Sequence, residues 1–158
     1  MKYFLFLFVF SFLSACKSDS TSPKRSSAKQ ASAVAVKTVN LPSISEETMG
    51  KLFNNCDQVD FIFHYQSFSM NIAERSTIIT NLKGIDPQPV VEFPGSCKPQ
   101  GRIAYYSKGE MITEADLYFE ETCKFMLFME NEKPVAGNYL NKKGIDFLNT
   151  LFSRVKNQ

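Results

Sequence analysis

Apolar side chains recur at helical spacing from residue 44 to residue 56. Met49, Leu52, Phe53 and Cys56 follow i, i+3, i+4, i+7 and fall on one stripe. Ser45 stands where an N-cap is needed, Glu46 and Glu47 lie near the positive end of the helix, and Ile44 with Met49 makes a hydrophobic staple. The period then switches to two. In "VDFIFHYQ", Val59, Phe61, Phe63 and Tyr65 alternate with Asp60, Ile62, His64 and Gln66, which predicts a strand with one apolar face. "NIAERSTIITNLKGI" returns to a helical pattern. Asn71 and Glu74 have capping-box spacing, Ile78, Ile79 and Leu82 point inward, and Gly84 before Ile85 suits a left-handed stop.

A Pro-rich loop, "DPQP", leads to the short apolar run "VVEF". Lys108-Gly109 marks a turn between Arg102–Ser107 and a long strand, Met111–Glu120, and a further strand, Cys123–Glu130, returns after a short turn. In the long strand Met111, Thr113, Ala115, Leu117 and Phe119 face one way, and Ile112, Glu114, Asp116, Tyr118 and Glu120 the other. Ile145, Leu148, Leu151, Phe152 and Val155 form the stripe of a last helix. The expected fold is α+β. It has a mostly antiparallel sheet, including a three-stranded meander over about 102–130, and helices over about 46–56, 72–83 and 142–155.

The N-terminal residues are of another kind. Lys2 is followed by an apolar run, Tyr3 to Leu13, broken only by Ser11. As a helix this run spans about 16 Å, against a hydrocarbon core of about 30 Å, so it fits the short h-region of an export signal and not a membrane span. Small residues do not stand at both positions that ordinary cleavage requires. Leu13-Ser14-Ala15-Cys16 instead resembles the lipobox of bacterial lipoproteins: a branched apolar residue, two small ones, then cysteine. The resemblance implies that the Cys16 thiol receives a diacylglyceryl group and that cleavage frees its α-amine, which is usually acylated as well. Two or three chains make a lasting anchor, because each buried methylene contributes about 0.8 kcal/mol and a single chain binds only marginally. Lys17 is not the Asp that commonly signals inner-membrane retention, so the resemblance points to the outer membrane. "CKSDS" is similar to the export signals of surface lipoproteins in the Bacteroidota. "GRIAYYSKGEMITEADLYFEETCKFMLF", "GIDFL" and "FSMN" resemble small lipoproteins of the same group, a resemblance that supplies no activity or site.

Residues 17–42 contain six serines and no aromatic residue. That composition cannot bury enough apolar surface to offset chain entropy and reads as a flexible tether, with "ASAVAV" as its one strand-like stretch. The expected organisation is a signal peptide over 1–15, a lipidated cysteine and tether over 16–42, and one globular domain over 43–158. The whole chain carries +2. The tether holds five basic residues and one acidic, +4, while residues 43–158 hold twelve basic and fifteen acidic, −3. A basic tether adds attraction to an anionic membrane, and an acidic domain gives no support to a nucleic-acid partner.

Export places Cys56, Cys97 and Cys123 where a disulfide persists, and three thiols allow three alternative pairs. Loop entropy does not choose among them, since the 97–123 and 56–97 closures differ by only a few tenths in about 3.5–4 kcal/mol. A hairpin turning near Lys108-Gly109 puts Cys97 near the level of Glu120, beside the turn to Cys123. Cys97–Cys123 is therefore the expected bond, with Cys56 a small apolar residue on a helix face and three inert thiols the alternative.

Candidate chemistry is sparse. His64 is the only histidine and no C-x₂-C pair occurs, so no metal and no cofactor is expected. On a strand, His64 reads as an ordinary polar-face residue. Glu114 and Asp116 share a strand face about 7 Å apart, a spacing that overlaps that of inverting glycosidases and equally that of solvated strand acids. Tyr106, Tyr118 and Phe128 form either an aromatic platform for a carbohydrate or protein partner or a face covered by a helix. The sequence thus points to a lipid-anchored envelope protein whose domain binds or scaffolds an unknown ligand. Its rivals are an envelope hydrolase using Glu114 and Asp116 and a carrier of a small apolar ligand in the Phe-rich core.

Overall fold

The computed structural model describes residues 35–155, and three helices within them cover one face of a sheet. The expected signal segment 1–15, the lipidation candidate Cys16 and residues 17–34 of the expected tether lie outside the described residues. In chain order the elements are β1 (Val36–Thr38), α1 (Glu46–Asn55), β2 (Gln58–Phe63), β3 (Ser69–Ile72), α2 (Arg75–Leu82), β4 (Ile85–Pro89), β5 (Glu92–Pro94), β6 (Gly101–Ser107), β7 (Glu110–Glu120), β8 (Cys123–Glu130), β9 (Lys133–Leu140) and α3 (Lys142–Val155). Seven strands form an antiparallel sheet in the order β3-β2-β6-β7-β8-β9-β4, and β1 with β5 makes a separate two-stranded ribbon. The α+β class, the three helices and the antiparallel meander stand as the sequence pattern predicts.

The first helix begins as its cap dictates. The Ser45 hydroxyl accepts from the Thr48 N–H at 3.1 Å, and Leu52 and Cys56 are buried beneath it. The second starts three residues later than the capping-box reading places it. Glu74 is its N-cap, accepting from the N–H groups of Ser76 and Thr77, whereas Asn71 belongs to β3 and donates to Asp60 at 2.6 Å. The expected left-handed stop at Gly84 is absent too. Gly84 is required because α3 touches it: a Cβ there would lie 2.4 Å from Gly144 Cα, and one on Gly144 would lie 2.4 Å from the Gly84 oxygen. Asn141 secures this junction, its side chain accepting from Lys143 and Gly144 at the start of α3 and donating to the Lys83 carbonyl.

The meander has four strands, β6 to β9, one more than the pattern predicts. Lys108 and Gly109 both have positive φ, as a type I′ hairpin demands, and so do Asn131 and Glu132 between β8 and β9. Asn-Glu is a weak turn signal beside Lys-Gly, which is why the fourth strand escapes the sequence. Side-chain parity along β7 holds for Ala115, Leu117 and Phe119. It reverses beyond the bulge, where Tyr105 pairs Thr113 and Tyr106 pairs Met111, so that Ile112 packs on the core and Met111 is 53% exposed.

The main core lies between this sheet and the helices. Phe61, Tyr105, Leu117 and Phe128 from the strands meet Leu52, Ile78, Leu82 and Leu148 from α1, α2 and α3. A second, smaller core lies on the other face. There Val90, Phe93 and the Cys97–Cys123 disulfide cover Phe125 and Leu127. The Phe93 ring lies tilted with its centroid 4.7 Å from that of Phe125, and Tyr118 stacks on Phe125 at 4.4 Å. The cover on this face is the β1–β5 ribbon, not the helix anticipated from the sequence. Residues 35–42, read from composition as the end of a tether, supply half of it. Gly95 donates to Ala35, Val39 to Val91 and Gly137 to Pro42, while Val39 and Leu41 pack on the second core.

Candidate functional site

The second face of the sheet is open where the ribbon ends. Register sets Asp60, Ala104 and Glu114 in one row and Ile62, Arg102 and Asp116 in the next. Arg102 occupies the interval between the two acids singled out by sequence. Its Nη1 lies 3.3 Å from Glu114 Oε1, and its Nη2 and Nε lie 2.9 Å from Asp116 Oδ1. The Asp116 hydrogen bond, acting against burial, holds the guanidinium above its ordinary pKa. An inverting glycosidase keeps the space between its carboxyl groups for a sugar and a water. Here that space is filled by a cation that engages both, the arrangement of a structural ion-pair cluster.

The other sequence candidates are separate from this cluster. His64 falls just after β2, exposed, with Nδ1 3.3 Å from the Pro99 carbonyl. Cys56 is buried, donates to the Gln58 carbonyl at 3.3 Å and is pushed above its ordinary pKa by burial, so it lacks the thiolate character of a reactive cysteine. Cys97 and Cys123 are bonded to each other. Phe128 is not a surface aromatic but part of the main core, whereas Tyr118 lies half-buried under the ribbon and Tyr106 is half-exposed. Among the described residues no three His, Cys, Asp or Glu side chains are grouped to hold a metal ion, and no helix is long and apolar enough to cross a membrane.

The site that the geometry does build lies on the helical side, at the β3 end of the sheet. Between α2 and α3, beside the Gly84–Gly144 contact, an open groove of about 570 Å³ runs to β3. Its apolar floor is Met70 and Ile72 from β3 with Phe147 and Leu151 from α3. Its rim is polar: Thr77 and Thr80 on α2, Thr150, Lys143 and Asp146 on α3. The Thr80 and Thr150 hydroxyls donate to the Ser76 and Asp146 carbonyls of their own helices, and Asp146 pairs with Lys142 at 2.7 Å. The rim therefore makes few hydrogen-bond demands of its own. The volume lies within the range of about 300–1,000 Å³ usual for ligand sites, and an apolar floor with a sparse polar rim is their common chemistry. A second hollow, between the end of α1 and the β6–β7 turn, is polar and lined by Lys51, Asn55, Lys108 and Glu110.

The sequence reading missed this groove. The alternation of Phe68, Met70 and Ile72 against Ser69 and Asn71 carries a strand signal, but the helical reading claimed Asn71 and Ile72 and left Phe68 to Met70 unassigned. Phe147 lies beside the stripe assigned to α3, on the flank that meets the groove.

Comparison with protein-family models, with curated proteins and with solved structures returns no match.

Proposed function

We propose that this chain is a lipid-anchored protein of the bacterial cell envelope, facing outward from or inward at the outer membrane, whose domain is a binding module. The observation that carries the binding role is the open, apolar-floored groove between α2 and α3. The lipobox Leu13-Ser14-Ala15-Cys16 supports the anchor, and the Cys97–Cys123 bond suits an oxidising compartment. The Arg102 bridge weighs against a hydrolase built on Glu114 and Asp116. The groove's openness to solvent weighs against a ligand enclosed within the core.

Two measurements test the two halves of the reading. Cells fed labelled palmitate should incorporate it into the wild-type chain and not into Cys16→Ser, and only the wild type should partition into the detergent phase of Triton X-114. Equal labelling of both removes the anchor. For the site, Nile red should show saturable fluorescence with the purified full chain in neutral detergent, above the empty-micelle signal. Thr80→Trp with Thr150→Trp, which fills the groove from its rim, should abolish that signal while Glu114→Gln with Asp116→Asn leaves it unchanged. An unchanged signal in the tryptophan variant removes the groove as the binding site.

A further inference from the structure

We infer that the groove receives an extended peptide that adds to the sheet as a strand alongside β3, with apolar residues alternating with basic ones. This rests on the reading of the groove as the ligand site and names the chemistry of its occupant.

The first observation is the contrast between the two ends of the sheet. β3 and β4 are the terminal strands, each paired on one side only among the described residues. β4 is blunted: Pro87 and Pro89 stand within its five residues, and its pairing with β9 is irregular. Proline and irregularity are the usual protections of an exposed edge. β3 has neither. Its residues Ser69, Met70, Asn71 and Ile72 carry no proline and no charge, and they pair with β2 in unbroken register from Ile62↔Ser69 to Val59↔Ile72. Among the described residues nothing beyond the β2 ladder hydrogen-bonds to the β3 backbone. Alternate residues of an edge strand direct N–H and C=O outward, and an extended backbone is the group that satisfies them.

The second observation is that this edge is continuous with the groove. Met70 and Ile72 belong to the groove floor, so alternate side chains of an added strand enter the apolar space that α2 and α3 leave open. The remaining side chains fall on the other face, beside Ser69 and Asn71. Asp60 stands one strand further in. It accepts from Gln58 and Asn71 and has no cationic partner among the described residues. Beyond it, Glu114 and Asp116 share the single Arg102. Asp60, Glu114 and Asp116 against one guanidinium give this cluster −2, and Asp60 lies about 10 Å from an added strand, within reach of a lysine or arginine side chain. An acidic or neutral peptide lacks that match.

The test uses a fluorescein-labelled peptide, Lys-Val-Lys-Val-Lys-Val, and anisotropy with the purified full chain in neutral detergent, corrected for empty micelles. Saturable binding is expected, weakened by salt. Two versions methylated at alternate backbone nitrogens, in opposite phase, should separate: one loses about tenfold or more, the worth of about one hydrogen bond, and the other does not. Glutamate in place of lysine, and Asp60→Asn in the protein, should each weaken binding severalfold. Thr80→Trp with Thr150→Trp should remove it, and neither rim position lies in the main core. Equal binding of both methylated peptides overturns strand addition, and equal binding of the glutamate peptide overturns the charge rule. If Nile red is lost in the tryptophan variant while no peptide binds, the groove stands as a site for an apolar ligand such as an acyl chain and the inference falls alone. If Nile red is insensitive to that variant, the groove reading falls with it.

Discussion

The two faces of the seven-stranded sheet are covered by different materials. On one, three helices bring Leu52, Ile78, Leu82 and Leu148 onto Phe61, Tyr105, Leu117 and Phe128, and α1 and α3 each carry an amphipathic stripe. On the other, the cover is two strands of three residues each, bonded as a sheet only to one another. A two-stranded ribbon is marginal by itself. This one is held by the bonds Val39 to Val91, Val90 to Gly137 and Gly137 to Pro42, by Phe93 on Phe125, and by a covalent bond from Cys97, just after β5, to Cys123 at the start of β8. The covalent bond sits where the packing is thinnest. On the helical face dispersion and burial suffice, so Cys56 stays a free buried thiol there.

The largest effect should come from the helical face. Phe61→Ala empties a fully buried position and should lower unfolding free energy by about 3–5 kcal/mol in a urea titration, with the slope unchanged. A loss under about 1 kcal/mol would mean that this core does not dominate. On the ribbon face, Cys97→Ala with Cys123→Ala opens a closure of 26 residues and should cost about 3.5 kcal/mol at most. Its signature is local: the amides of Val39, Val90 and Gly95 should lose hydrogen-exchange protection before those of β2 and β6. Equal loss at both sites would make the two faces one cooperative unit and erase the contrast.

Smaller effects probe how the helices are begun. Ser45→Ala removes the bond to the Thr48 N–H and should cost about 1 kcal/mol by thermal or urea melting. Glu74 is held at a pKa of about 2, below its ordinary 4.5, by the Ser76 and Thr77 hydroxyls and then by their N–H groups. Because the folded value lies below the unfolded one, its contribution is complete above about pH 4.5 and is lost as pH falls toward about 2. Glu74→Gln should therefore lower stability slightly at neutral pH and flatten the acid limb of the stability curve between those values. An acid limb of the same slope in both proteins would show that the cap does not titrate as described.

The helical face was largely legible because its determinants are local. Met49, Leu52, Phe53 and Cys56 repeat with a helix's own period, Ser45 caps through a neighbour three residues away, and Phe61 alternates with Asp60 and Ile62 wherever the strand is placed. Cys97–Cys123 was legible for a similar reason, since one hairpin turn brings its halves to one level. The failures lie where two local signals competed. Asn71 and Glu74 have capping-box spacing, but Asn71 also fits a strand, and its bond to Asp60 from the neighbouring strand decided the matter. Asn131-Glu132 adopts positive φ without a glycine, so the hairpin to β9 carried little sequence signal.

By itself the sequence determined the α+β class, the three helices, the long meander strands and which face of β2 is buried, because periodicity and capping act within a few residues. Tertiary structure alone decided that residues 35–42 fold back as half of a ribbon, that Arg102 fills the space between Glu114 and Asp116, and that Gly84 meets Gly144 so that α2 and α3 border an open groove. Each of these is a contact between different elements of the fold. Its energy depends on a distance and an orientation that no local pattern encodes.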